Sequence, residues 1–159
     1  MSRPTVIGLI SDTHGLLRPQ ALAALAGCDL ILHAGDIGGP DILRELSRLA
    51  PLTTVRGNVD EGEWADALPQ REIVERGGVK IYLVHDIADL DVDPVAAGIQ
   101  VVVSGHSHLP RSFEKDGVLF ANPGGAGPRR FNLPVTVGRL TVADGRAGYE
   151  LIRLDCPKD

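Results

Sequence analysis

The chain has 159 residues, a formal net charge of −5 and hydrophobic residues at 43% of positions, which is ordinary for a globular domain. The acidic balance disfavours binding of long nucleic acids, and no apolar run approaches the roughly 20 residues of a membrane-spanning helix. Two cysteines are too few for a disulfide framework. Unpaired thiols, and an N-terminus without a hydrophobic region of signal-peptide length, predict a cytoplasmic location. The length predicts one domain over residues 1–159.

The first third of the chain alternates short apolar runs with amphipathic stretches. Short runs rich in Val, Ile and Leu are typical of strands buried on both faces. The stretches between them begin with proline and carry helix-forming residues, which predicts helices. This order indicates a parallel sheet with crossover helices. The predicted strands are residues 5–11, 29–33 and 52–55, and the predicted helices are residues 19–26 and 40–50.

The rest of the chain is predicted to form hairpins. Gly77-Gly78, Asp116-Gly117 and Asp144-Gly145 each separate two apolar segments, and Asp-Gly in particular favours a tight hairpin turn. A parallel start followed by hairpins predicts an α/β fold with two mixed sheets packed face to face and helices outside. The predicted hairpin strands are 72–75 with 79–84, 112–115 with 118–121, and 133–142 with 147–154, beside a short helix at 92–97 and a buried strand at 99–103.

Five short segments share one layout: a buried strand ends, and metal-type ligands follow with glycines nearby. Ligands bind at the carboxyl edge of parallel strands, so these segments are expected to converge on one site. Residues two apart on extended chain point the same way, which brings together Asp12 with His14 and His106 with His108. Carboxylate, imidazole and amide ligands suit divalent Mn, Zn or Fe. The segments are Ser11-Asp12-Thr13-His14-Gly15, His33-Ala34-Gly35-Asp36, Arg56-Gly57-Asn58, Val84-His85-Asp86 and Ser104-Gly105-His106-Ser107-His108.

Each segment alone also has an ordinary structural explanation. Asp-x-His is usually a turn, Asp36 could cap the helix predicted from Pro40, and His85 could be a surface histidine. The joint arrangement favours a site, because four of the five histidines are ligand candidates in these segments and the fifth, His33, lies three residues before Asp36.

The five segments, in this order, closely resemble the pattern of the calcineurin-like metallophosphoesterase superfamily. That pattern is D-x-H, G-D, G-N, a lone H and G-H-x-H. The Asn122-Pro123-Gly124 turn resembles its small bacterial YfcE-like phosphodiesterase branch. The resemblance implies a four-layer α/β/β/α sandwich and two divalent metal ions, with Mn²⁺ expected and Zn²⁺, Fe²⁺, Ni²⁺ or Co²⁺ as alternatives. The first metal would take Asp12, His14 and His108, and the second Asn58, His85 and His106, with Asp36 bridging both through its two oxygens.

The same resemblance implies hydrolysis of a small phosphoester, chiefly a phosphodiester, by a hydroxide that bridges the metals and attacks in line at phosphorus. Asp36, Asn58 and His106 are expected to take part in catalysis. A nuclease or a cyclic-nucleotide phosphodiesterase is an alternative enzyme. The alternative of another class is an interaction scaffold like the vacuolar-sorting subunit of retromer, with weak or no activity. Seven competent ligand positions favour the enzyme, and assembly into a homo-oligomer is left open.

Two positions depart from the family pattern. Many members have histidine directly after G-N, where this chain has Val59, which cannot transfer a proton. We therefore hypothesise that the enzyme prefers good leaving groups or recruits the proton from elsewhere. Asp86 replaces the glycine that usually follows the lone histidine, which makes the local turn uncertain.

Four further residues are candidates around the centre. His33 could line the site, but it is predicted to be a buried support for Asp36. Asp60 is predicted either to orient a neighbouring histidine or to be a solvated turn residue. Arg129 and Arg130 could contact substrate phosphate, because guanidinium groups bind phosphate oxygens in pairs, or could form a surface pair.

Overall fold

The computed structural model describes residues 3–157, in which ten strands form two mixed sheets of five strands each. Three short α-helices and one 3-10 turn connect them. In chain order the elements are β1 (Thr5–Ile10), α1 (Pro19–Leu25), β2 (Leu30–His33), α2 (Pro40–Ser47), β3 (Leu52–Thr54), α3 (Glu63–Asp66), β4 (Arg71–Arg76), β5 (Val79–Val84), the 3-10 turn (Ile87–Asp89), β6 (Val101–Val103), β7 (Arg111–Lys115), β8 (Val118–Asn122), β9 (Thr136–Ala143) and β10 (Arg146–Arg153).

The first sheet has the strand order β10-β9-β1-β2-β3, and β1, β2 and β3 are parallel. The register places Ile10 opposite His33 and His33 opposite Thr54, so the three carboxyl ends lie side by side. The predicted β-α-β-α-β start is therefore confirmed. The segments that follow these strands leave the sheet at one edge, as binding loops of parallel sheets do.

The second sheet has the order β4-β5-β6-β8-β7, and β5, β6 and β8 are parallel. Leu83, Val103 and Ala121 are opposite one another, which aligns these carboxyl ends as well. The antiparallel strands β4 and β7 form the two edges. The segments after β5 and β6 carry His85, His106 and His108, so both sheets deliver candidate ligands at strand ends.

The main core lies between the two sheets, and the outer layers differ in thickness. Ile7, Leu9 and Leu83 belong to the inner cluster, whereas Ile10 and Leu25 belong to the cluster under α1 and α2. Gly8 lets α1 pack close, because a side chain there would come within 2.6 Å of Leu25. The outer face of the second sheet is covered by the 3-10 turn and its following loop rather than by a long helix. The α/β class with two mixed sheets is confirmed.

The predicted strands all form, with boundaries shifted by up to three residues, but the predicted helix at 92–97 is wrong. Residues 94–98 form a hydrogen-bonded turn instead. The Asp93 side chain accepts a bond from the Val95 amide, and Val95 is exposed, so this stretch has no apolar face to bury. The prediction also missed α3, which is too short to show helical periodicity. Within residues 3–157 no helix is long and apolar enough to cross a bilayer.

Candidate metal centre

Asp12, His14 and His108 form the first of two ligand groups. Asp12 Oδ1 lies 3.7 Å from His14 Nε2 and 3.5 Å from His108 Nε2, and the two imidazole nitrogens are 3.2 Å apart. Ligands about 2.1 Å from one divalent ion are separated by roughly 3.0–3.4 Å in octahedral or tetrahedral geometry. The nitrogen pair falls in this range, and the 3.5 and 3.7 Å carboxylate distances lie just above it, so the three atoms are close to the spacing of ligands of a single ion.

The Asp12 carboxylate shows that this group fits a cation. Its Oδ2 accepts bonds from Ser11 Oγ at 2.7 Å and from the His106 amide at 3.0 Å. Its Oδ1 is buried and has no hydrogen-bond partner among the described residues. A buried carboxylate oxygen without a partner is costly, and a metal ion would compensate this one.

Asp36, His85 and His106 form the second group, and Asn58 completes it. Asn58 Oδ1 lies 2.9 Å from His85 Nε2 and 3.2 Å from His106 Nδ1, and these two nitrogens are 3.3 Å apart. His85 Nδ1 is 2.7 Å from the Ala34 carbonyl, to which it must donate. The proton therefore sits on Nδ1, which leaves Nε2 with a lone pair directed at the group.

Asp36 joins the two groups through a single oxygen. Its Oδ2 lies 3.6 Å from His14 Nε2 and 3.2 Å from His85 Nε2, whereas its Oδ1 accepts a bond from the Val59 amide at 3.0 Å. The predicted position between the groups is found, but the expected division between two oxygens is not. Burial alone would raise the pKa of Asp36, but His85 and the Val59 amide outweigh it and lower that pKa. The carboxylate is thus held ionised.

Five of the seven candidate ligands have a left-handed backbone, although non-glycine residues rarely adopt it. Each such residue costs on the order of 1–3 kcal/mol and persists only where its surroundings fix it. Here the strands' ends are tied together, for example by the Asp12 amide on the Gly35 carbonyl at 3.0 Å. The side chains converge because of these turns, not because the chain is extended as the sequence argument assumed. The residues are Asp12 (φ 56°), His14 (φ 45°), Asp36 (φ 56°), His106 (φ 72°) and His108 (φ 62°).

Asp60 fastens two of the ligand loops to each other. Its Oδ1 accepts bonds from the Ile37 and Gly38 amides at 2.9 and 3.0 Å, and its Oδ2 accepts from the Gly57 amide at 2.9 Å. The sequence predicted that Asp60 either orients an imidazole or is solvated in a turn. Neither role is found, because the buried carboxylate accepts hydrogen bonds from backbone amides. Gly57 lets its loop lie against the Asp36 loop, because a side chain there would collide with Asp36.

His33 is fully buried beneath the loops that carry Asp12 and Asp36. Thr13 Oγ1 donates to the Ile37 carbonyl at 2.8 Å, so His33 Nε2 must donate to Thr13 Oγ1 at 3.0 Å. His33 Nδ1 accepts from the Gly35 amide at 3.0 Å. The neutral imidazole thus supports Asp36 through the backbone of Gly35. Burial, aided by the nearby His85, lowers the pKa of His33 from 6.5 to about 3.

His33 should make metal-free protein sensitive to acid. The unfolded chain takes up a proton near pH 6.5 and the folded chain only near pH 3, so stability falls as the pH falls between them. The free energy of unfolding should fall between pH 7 and pH 4.5 in both proteins. We expect this fall to be about 2 kcal/mol smaller in the His33→Asn variant than in the parent. Urea unfolding in chelator at both pH values measures this difference, and equal losses would contradict it.

Val59 and Asp86 occupy the positions that depart from the family pattern. The Val59 side chain is 46% exposed, and its amide holds Asp36. Asp86 Oδ1 caps the 3-10 turn by accepting from the Ala88 amide at 3.0 Å. Its Oδ2 lies 3.7 Å from His106 Nε2, on the side of the ring away from Asn58. Asp86 thus caps the 3-10 turn and places its carboxylate next to Nε2 of the candidate ligand His106.

Arg129 and Arg130, which follow the Gly-rich loop of residues 123–128, differ in position. Arg129 donates to the Cys156 carbonyl at 3.1 Å and to the Leu133 carbonyl at 3.5 Å, so it fastens the loop to the C-terminal segment. Arg130 is exposed, and burial together with the Arg130 charge lowers the pKa of His108. Of the pair, Arg130 is therefore the one placed to meet an anionic ligand.

Sequence reasoning missed the residues that line the cavities beside the centre. A cavity of 380 Å³ opens onto the second ligand group and is lined also by Arg56, Gln70 and Arg71. Arg56 directly precedes Gly57-Asn58, and this position next to a candidate ligand could have identified it as a cavity residue. Gln70 and Arg71 are distant in sequence and carried no signal.

The chain was compared with known proteins. Residues 6–145 match the calcineurin-like phosphoesterase superfamily domain. A probable metallophosphoesterase of Methanothermobacter thermautotrophicus is 34% identical, with 96% of this chain and 94% of that protein covered. A structure described as a novel archaeal phosphodiesterase superposes with a TM-score of 0.79 at 25% identity, covering 94% of this chain and 100% of that one. Vps29 from Entamoeba histolytica, solved with Zn²⁺, has a TM-score of 0.71 at 24% identity, covering 94% and 99%.

Proposed function

Because the chain belongs to the calcineurin-like phosphoesterase superfamily, we propose that it hydrolyses phosphodiester bonds with two divalent metal ions. The observation that carries the proposal is the position of Asp36 Oδ2, within 3.6 Å of an imidazole nitrogen from each ligand group. One carboxylate oxygen facing two groups is an arrangement that suits a dinuclear centre. Two bound ions would lower the pKa of a water between them and stabilise the attacking and leaving oxygens of an in-line displacement.

The protein's own residues would hold and orient these parts. Asp12, His14 and His108 would bind one ion, and Asn58, His85 and His106 the other. The Val59 amide fixes Asp36 so that the same oxygen stays between the groups. Asn58 and His106 line the 380 Å³ cavity, so they would contact the phosphoester as well as the ion.

The donor set is made of imidazole, carboxylate and amide groups. Such donors suit Mn²⁺, Zn²⁺ and Fe²⁺, and we propose Mn²⁺ with Zn²⁺, Fe²⁺, Ni²⁺ and Co²⁺ as alternatives. The two cysteines, Cys28 and Cys156, are buried away from both groups and offer no thiolate. The Entamoeba Vps29 solved with Zn²⁺ supports including zinc.

The experiment that tests this function is hydrolysis of bis(p-nitrophenyl) phosphate by protein stripped with chelator and then supplied with one metal at a time. We expect hydrolysis with at least one of Mn²⁺, Ni²⁺, Co²⁺, Zn²⁺ and Fe²⁺, and its loss in excess chelator. An interaction scaffold is the second candidate, favoured by the shared fold of Vps29. No hydrolysis with any of these metals would reject the enzyme and leave the scaffold.

Val59 leads to a prediction about the leaving group. An imidazole at this position could protonate a poor leaving group, which valine cannot do. We expect the Val59→His variant to hydrolyse alkyl phosphodiesters about tenfold faster than the parent, with little change for aryl phosphodiesters. Initial rates on matched aryl and alkyl esters measure this change, with Val59→Gln as the control for size and polarity. Equal or lower rates of Val59→His on the alkyl ester would count against the hypothesis.

A further inference from the structure

We propose that the substrate is an unsymmetrical phosphodiester that joins a polyhydroxyl group, such as a sugar or glycerol, to an aromatic or other apolar ring. The inference rests on the proposed phosphodiester hydrolysis and names its substrate class. It follows from two cavities of opposite character that adjoin the second ligand group and share Asp86 and His106 as a common wall.

The first cavity is polar and opens directly onto the centre, since Asn58, His85 and His106 line it. Arg71 is held in place, with NH2 donating to the Asp89 carbonyl at 3.0 Å and Nε 3.2 Å from Asp91 Oδ2.

Arg56 is held more loosely in the same cavity. Its NH1 lies 3.6 Å from Asp66 Oδ1, and the Asp66 side chain is 74% exposed. Arg56 can therefore turn its donors toward a ligand. Gln70 and Asp89 also line the cavity, so it offers acceptors as well as donors, which suits hydroxyl groups better than a second anion.

The second cavity, of 270 Å³, is mainly apolar. Ile87, Leu109 and Phe113 line it and are 43%, 48% and 40% exposed. The Phe113 ring stacks on the Phe120 ring with centroids 5.0 Å apart and an angle of 4° between planes, and the Arg111 guanidinium lies 4.8 Å from the Phe113 centroid. The exposed part of this rigid aromatic pair, together with the guanidinium over the Phe113 ring, is suited to pack against a planar ring.

His106 lines both cavities. Its Nδ1 faces Asn58 in the second ligand group, and its Nε2 faces Asp86 on the other side. A phosphorus atom at this group would have the polar cavity on one side and the apolar cavity across the ring. A phosphomonoester has one organic group and could fill only one cavity. Only a diester with two unlike groups fills both.

Two esters with the same leaving group test this proposal: glyceryl p-nitrophenyl phosphate and methyl p-nitrophenyl phosphate. We expect the parent protein, loaded with the active metal, to have a KM about tenfold lower for the glyceryl ester. Phe113→Ala should raise both KM values about fivefold and keep their ratio, because both esters carry the aromatic ring. Arg56→Ala should reduce the ratio to near one, because it removes the donors to the glyceryl group.

The control is Leu151→Ala, which removes an exposed apolar side chain from β10 on the other sheet and should leave the ratio and both KM values unchanged. Phe113→Leu replaces Phe113→Ala if the latter does not fold. A parent that hydrolyses both esters with equal KM, or a Phe113 variant with unchanged KM, would overturn the substrate class alone. A parent that hydrolyses neither ester with any metal would overturn the proposed function.

Discussion

The Asp36→Asn variant is expected to lose at least one of the two metal ions and to lower kcat/KM about a thousandfold or more. Asparagine keeps the shape of the side chain and can still accept from the Val59 amide. It removes the negative charge, and it places a neutral amide atom where Oδ2 faces both His14 and His85. A thousandfold loss corresponds to about 4 kcal/mol of transition-state stabilisation, which is within the range for removing a group shared by two ions. Metal content by elemental analysis and steady-state kinetics measure the two effects.

The matched control is Asp41→Asn, the same chemical change on an exposed carboxylate of α2. It should bind two metals and keep the parent's kcat/KM. An Asp36→Asn protein that still binds two ions and keeps more than a tenth of the parent's activity would remove Asp36 from its proposed bridging role.

The Asp60→Ala variant is expected to destabilise the metal-free fold by about 3–5 kcal/mol and to weaken metal binding about tenfold or more. Three amides, of Ile37, Gly38 and Gly57, would lose their acceptor in a buried place. Hydrogen bonds to a charged group contribute about 1.5–3 kcal/mol each, and a buried amide without a partner adds its own cost. The loops that carry Asp36 and Asn58 would no longer be fixed to each other, so both ligand groups would lose their geometry.

Urea unfolding in chelator gives the stability of this variant, and a metal titration gives the affinity. Asp66→Ala is the control, because Asp66 lies six residues away on α3 and is exposed. We expect it to change the unfolding free energy by less than about 0.5 kcal/mol. Equal stability of the Asp60 and Asp66 variants would show that the carboxylate does not fasten the loops.

The fold was largely predictable because local patterns and the global arrangement agree. Buried strands such as β1 and β2 show as uninterrupted apolar runs, and Asp116-Gly117 marks its hairpin turn. The predicted helix at 92–97 failed because helical composition without a face to bury does not stabilise a helix. The α3 helix was missed because four residues carry no measurable periodicity.

The candidate site was predictable in its members and not in its geometry. Residue types at strand ends indicated the segments, and the family resemblance selected the seven candidate ligands, which the structure brings together in two groups. The left-handed turns at Asp12 and His106, and the single bridging oxygen of Asp36, depend on contacts between distant segments. The role of Asp60 was misjudged for the same reason, since its partners Ile37 and Gly38 lie more than 20 residues away.

The most direct test is anomalous diffraction from crystals of the protein loaded with Mn²⁺, recorded near the manganese absorption edge. We predict two peaks, about 3.5–4 Å apart, with Asp36 Oδ2 between them. One peak should lie against Asp12, His14 and His108, and the other against Asn58, His85 and His106. A single peak, or two peaks that do not share Asp36, would contradict the dinuclear centre.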